Sequence, residues 1–119
     1  MIPENEVAWH VGTSTVDPAS GRFYTVRGRE LIGDQVADNR SANWHMIGIG
    51  MNHRTWTEFT PETLNSAVAL CADICRRNNM KANRISNHWE MVGWKNCPAF
   101  WMNHPAQFEE FKRRVAAAI

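Results

Sequence analysis

At 119 residues the chain is long enough for one domain with a real core, but short enough that each element matters. A net charge of +1 and a pI near 7.8 give no long-range field to gather a polyanion, which argues against nucleic acid as a partner. No apolar run approaches the roughly 20 residues that span a bilayer and the polar opening is no signal peptide, so the expectation is a chain without a membrane span that begins in the cytoplasm.

Residues 4–11 alternate, with Glu6, Ala8 and His10 on one side and Val7, Trp9 and Val11 on the other, until Gly12 ends the run. That period of two predicts a strand. Trp9 is then either a core residue with His10 at the rim, or both face a ligand groove. Six Trp against one Tyr keep the second option open, since an indole can fill a core or stack on the apolar face of a sugar. From residue 13 to 43 periodicity is poor. Asp17-Pro18, Ser20-Gly21 and Arg27-Gly28 mark turns around a short helix predicted over 29–37. This excursion has too few apolar residues for a core of its own and reads equally as the wall of a groove or as a surface insertion.

Residues 45–51 place Ile47, Ile49 and Met51 on one face and Met46, Gly48 and Gly50 on the other, which predicts a second strand. Its two glycines leave room for another group to approach. Thr60-Pro61-Glu62 is a helix start, and Leu64, Ala67, Val68, Cys71, Ile74 and Cys75 form one apolar stripe as far as about Asn78. Cys71 and Cys75 read as core thiols rather than a disulfide framework, because the cysteine count is odd and the two lie four apart on that stripe. Residues 84–87 read as a short strand delivering His88 to a sheet end. A last helix is predicted from His104-Pro105 to about Ala118, capped by Asn103, with Phe108, Phe111 and Val115 inward and His104 at the surface.

Residues 87–98, NHWEMVGWKNCP, hold most of the apparent chemistry. A neutral imidazole and a thiolate are both good zinc ligands, and the separation of His88 from Cys97 lets a folded loop bring them to one ion. Lys95 could then face whatever the metal polarises.

Read with its neighbours, this loop resembles the second and third zinc ligands of the zinc-dependent N-acetylmuramoyl-L-alanine amidases, the type 2 family that includes phage endolysins and is related to peptidoglycan recognition proteins. In that family a His at a strand end and a Cys or Asp before Pro bind zinc, with a Lys two residues earlier near the reacting carbonyl. His88, Cys97 and Lys95 fall on those positions. Residues 2–12, IPENEVAWHVG, resemble the family's PE-x-x-AWH-x-G strand and turn, and residues 43–51 its N-x-x-S-I-G-I-E strand. The family's Glu is replaced by Gly50.

The resemblance implies an α/β fold, a central mixed β-sheet flanked by helices, and a single domain over 1–119 that corresponds to about the C-terminal two-thirds of the family domain. It implies zinc on His88 and Cys97, a catalytic role for Lys95, and substrate contacts at Trp9, His10 and Asn43. The family's remaining zinc ligand, a His on an early central strand, precedes the AWH segment. The expectation is therefore an N-terminally truncated domain of impaired activity, unless His10, His45 or His53 completes the site. Edges left open by such a truncation would invite a strand-completing partner or a second copy of the chain.

The implied substrate is peptidoglycan, cleaved between N-acetylmuramic acid and L-alanine after release or lysis, as in a phage or prophage lysis cassette. A non-catalytic peptidoglycan-binding module and an inactive remnant are the alternatives.

Overall fold

The computed structural model describes residues 10–33, 40–51 and 58–119. The chain divides into two compact units, one of Met1–Ile49 with Asn87–Asn96 and one of Gly50–Ser86 with Cys97–Ile119.

In the first unit Asp17 starts a tight turn. Its carboxylate accepts from the backbone N–H of Ala19 at 2.8 Å and of Ser20 at 3.1 Å, and Gly21 supplies the left-handed φ of 68° that closes it. The chain then enters helix α1, Val26–Ile32, where the Thr25 hydroxyl caps the N–H of Gly28. Thr25 also ties α1 to helix α3, His88–Val92. Its N–H donates to the carbonyl of Met91 at 2.8 Å and its hydroxyl to that of Glu90. Gly28 is a helix residue rather than a turn. A Cβ there would sit 3.0 Å from Tyr24 Cβ and 3.1 Å from Met91 Cε, so its bareness permits close packing. Val11, Tyr24, Leu31, Ala42, Met91 and Val92 form this unit's core.

The second unit is built on helix α2, Pro61–Arg77, and helix α5, Pro105–Ala118, which pack on each other. Thr60 caps α2 and Pro61 takes its first position, as the sequence predicts. A short helix α4, Ala99–Asn103, which the periodicity does not announce, sets Trp101 at the centre of the core. The Trp101 ring lies 5.1 Å from Phe59, 4.9 Å from Phe108 and 4.8 Å from Phe111, all three buried. Cys71 and Cys75 are buried free thiols on the α2 stripe, and burial followed by the neighbouring Cys75 pushes the Cys71 thiol up to about 11.

The expected central mixed β-sheet is overturned. Among the described residues there is no strand, only an isolated antiparallel bridge between Asp17 and Arg22, and the regular elements are helices. Extended segments become strands only when a neighbour takes their N–H and C=O groups, and residues 46–51 have no ladder partner among the described residues. Gly48 and Gly50 weaken that segment further, and Ile47 and Ile49 are both exposed rather than gathered on a core face. Residues 84–87 fail as a strand for a different reason. A 3-10 turn at Ala82–Arg84 leads into Asn87, which caps a helix, so His88 stands at a helix start and not at a sheet end. The predicted strand over 4–11 lies outside the described residues except for His10 and Val11, which form no regular element. The first helix spans Val26–Ile32 instead of 29–37, ending at Gly33, and residues 34–37 lie outside the described set. With no sheet edge among the described residues, the case for a strand-completing partner loses its footing there. No helix is long and apolar enough to cross a membrane.

Candidate functional site

The position of His88 follows from a local signal. The Asn87 side chain accepts from the N–H of Glu90 at 2.9 Å, and the Glu90 carboxylate accepts from the N–H of Asn87 at 3.0 Å. This reciprocal pair closes the first turn of α3 with His88 as its first residue. At the other end Gly93 adopts a left-handed φ of 80° and its N–H donates to Trp89 at 2.7 Å, turning the chain toward exposed Trp94 and Lys95.

The His88 Nε2 atom is buried and has no hydrogen-bond partner. Burial, then the charge of Lys95, then that of His10, hold its pKa below the ordinary imidazole value. His88, Lys95 and His10 therefore share one electrostatic neighbourhood inside the first unit, and the imidazole of His88 is kept in its neutral, electron-donating form.

His10 is fixed from two directions. Its backbone N–H and that of Val11 donate to Asn43 Oδ1 at 2.9 and 2.8 Å. Its ring Nε2 lies 3.2 Å from the Met46 carbonyl. Burial lowers the His10 pKa, and that carbonyl partly opposes the shift. The ring also fills the room that Gly48 leaves, since a Cβ at residue 48 would come within 2.6 Å of His10 Cγ and Nδ1. Beside it opens a cleft of about 400 Å³ lined by His10, Gly12, Thr13, Ser14, Ser41 and Asn43.

The structure thus brings His10 and Asn43 together at a cleft, and sets Lys95 near His88. Trp9 and His53 lie outside the described residues. Cys97 is half-buried and belongs to the second unit. His45 is half-buried after the 3-10 turn at Ala42–Trp44. His104 is exposed, its ring 4.5 Å from that of Phe100 and its Nδ1 3.0 Å from the Phe100 carbonyl. A side chain at Gly50 would meet open space. Sequence reasoning passed over Thr13, Ser14 and Ser41, because small polar residues in a segment without periodicity look like turn residues.

As a metal site the donor set fits in part. His88 offers a buried ring nitrogen without a partner, which suits a borderline-soft ion such as zinc, yet among the described residues no three His, Cys, Asp or Glu side chains gather as a metal-holding group.

The family model described as N-acetylmuramoyl-L-alanine amidase matches residues 1–100. The chain belongs to that amidase family. Among curated proteins it is similar to the N-acetylmuramoyl-L-alanine amidase CwlL of Bacillus licheniformis, with 29% identity over all 119 residues and 28% of the relative. A probable N-acetylmuramoyl-L-alanine amidase of the same species is 31% identical over the whole chain and 29% of the relative. The amidase BlyA of Bacillus subtilis (strain 168) is 29% identical over 120 residues, covering the whole chain and 30% of the relative. The chain spans less than a third of the length of these amidases. No solved structure is a significant match. The amidase family is generally zinc-dependent, and its match takes in His10, Asn43, His88, Lys95 and Cys97 while leaving α5 outside.

Proposed function

We propose that this chain acts in peptidoglycan hydrolysis, cleaving the amide between N-acetylmuramic acid and L-alanine. The observation that carries the proposal is the buried, partnerless Nε2 of His88 next to the Lys95 charge, at the positions where the loop resembles the family's metal ligand and catalytic Lys.

His88 would hold zinc through that nitrogen. Cys97 would be a second ligand, an assignment that rests on the loop's sequence resemblance alone. When bound, zinc polarises an amide carbonyl and lowers the pKa of a coordinated water to about 7. The chain's own residues do the rest. Burial and Lys95 keep His88 neutral and able to donate its lone pair. The exposed ammonium of Lys95 stabilises negative charge developing on the carbonyl oxygen, an electrostatic effect that grows as substrate excludes water. Asn43 holds the backbone of His10 and Val11, and with it one wall of the cleft.

The experiment is muropeptide release from purified cell walls with added zinc, run beside a zinc-binding titration. The expected result is release by the unmodified chain and its loss in His88→Ala, Cys97→Ala and Lys95→Met, with zinc binding lost in the first two only. Binding of muropeptide without release in the presence of zinc would make this a recognition module instead. Neither zinc nor muropeptide binding would leave no enzymatic role.

A further inference from the structure

The cleft beside His10 has a chemistry of its own. Ser41 immediately precedes the 3-10 turn Ala42–Trp44, a position where a Ser hydroxyl usually caps a backbone N–H, yet it makes no such bond and its Oγ is buried without a partner. Asn43 is 3% exposed and its Oδ1 is already committed to two backbone N–H groups, so its Nδ2, also buried and partnerless, is a donor with nothing to donate to. Buried polar groups in folded proteins nearly always have partners, and two orphans lining one cleft mark a place where a ligand supplies the acceptor.

We infer that this cleft is the subsite for the peptide arm of the substrate, with Asn43 Nδ2 and Ser41 Oγ donating to a backbone carbonyl beyond the scissile amide. The inference rests on the peptidoglycan function proposed above. Three features favour the peptide over the sugar. The lining side chains are small, Gly12, Thr13, Ser14 and Ser41, which suits a thin chain. Apart from the His10 imidazole no aromatic ring lines the cleft, whereas a pyranose is commonly held by stacking on one. The free groups are an amide N–H and a hydroxyl, the pair that reads peptide carbonyls. His10 lines the cleft and its charge acts on His88, so a substrate reacting at His88 and Lys95 reaches the cleft within a short span of chain.

Ser41 is the point of test, because Asn43 also supports the fold. The metal-free full chain is titrated by calorimetry with an N-acetylmuramoyl-L-alanyl tripeptide and, separately, with N-acetylmuramic acid. Loss of one neutral hydrogen bond in Ser41→Ala should weaken tripeptide binding about three- to tenfold, leave the sugar's Kd and the melting temperature unchanged, and be largely reversed in Ser41→Thr. Equal tripeptide affinity in Ser41→Ala and the unmodified chain, or an equal loss for sugar and tripeptide, overturns the subsite while leaving the proposed function standing. Failure of the unmodified chain to bind either ligand overturns both.

Discussion

Asn43 Oδ1 accepts from the backbone N–H of His10 at 2.9 Å, joining two residues 33 apart through a side chain that also takes the N–H of Val11. One amide thereby does for this corner what a neighbouring strand would do in a sheet. Replacing it leaves two N–H groups, one fully buried, without acceptors, and each such loss costs about 1–3 kcal/mol. Asn43→Ala should therefore lower unfolding stability by about 2–4 kcal/mol, measured by denaturant titration. A change below about 0.5 kcal/mol, the usual size for a neutral surface substitution, would show that the bonds carry no weight.

The His10 ring occupies the space over Gly48, where an added Cβ would come within 2.6 Å of it. Gly48→Ala should thus displace the imidazole. The expected sign is a large shift of the His10 ring resonances in heteronuclear NMR, with smaller changes in α1. Gly50→Ala serves as the control, since its Cβ would meet nothing within 4 Å. Equal spectra for Gly48→Ala and the unmodified chain would refute the close approach.

The sequence discloses helices better than it discloses strands here, and the reason is physical. α2 and α5 carry their own signals, a Thr60-Pro61 start and long stripes of apolar residues at three- and four-residue spacing, so local information suffices. A period of two over a few residues, as at 45–51, says only that the segment can be extended; a strand also needs a partner, which is not local. Asn87-x-x-Glu90 is a helix-start signature written in the sequence, but the family resemblance drew the reading toward a strand end. His10, Asn43, His88 and Lys95 were legible as site candidates through motif resemblance. Ser41 became visible only once its hydroxyl was seen to be buried and idle.

The capping box itself is testable. Asn87→Ala removes the acceptor for the Glu90 N–H and frees the Glu90 carboxylate, at a cost of about 0.5–2 kcal/mol by the usual worth of such caps. Because α3 has a single full turn, the loss should appear as faster amide exchange across Glu90–Val92 and as a changed His88 ring environment. Exchange rates equal to those of the unmodified chain would contradict this account of α3.

Cysteine chemistry should separate the three thiols. Cys71 and Cys75 are buried, and burial raises the pKa of both, so little thiolate is present near neutrality. Cys97 is only half-buried. Limited alkylation of the native metal-free protein at pH 8, followed by peptide mass spectrometry, should label Cys97 first and leave the α2 pair untouched until denaturant is added. Labelling of Cys71 at the rate of Cys97 would contradict the packing of α2 against α5.

The electrostatic link between Lys95 and His88 sets a pH dependence whose sign can be worked out. In the folded metal-free chain the pKa of His88 lies below the ordinary 6.5, through burial first and then through the Lys95 and His10 charges. Between the folded and unfolded pKa values the unfolded chain binds more protons, so stability rises with pH across that interval. The contribution is complete above about 6.5, the unfolded value, and is lost as pH falls through the folded pKa. His10, also lowered by burial, acts in the same direction. Lys95→Met removes one of the repelling charges and should raise the His88 pKa toward its ordinary value, softening the acid loss of stability, while His88 remains partly depressed by burial. Imidazole NMR titrations of the two metal-free proteins, each paired with a melting series from pH 5 to 8, supply the measurement. A His88 pKa at or above 6.5 in the unmodified chain, or one that Lys95→Met leaves unmoved, would show that the ammonium does not act on the imidazole and would remove Lys95 from the catalytic proposal.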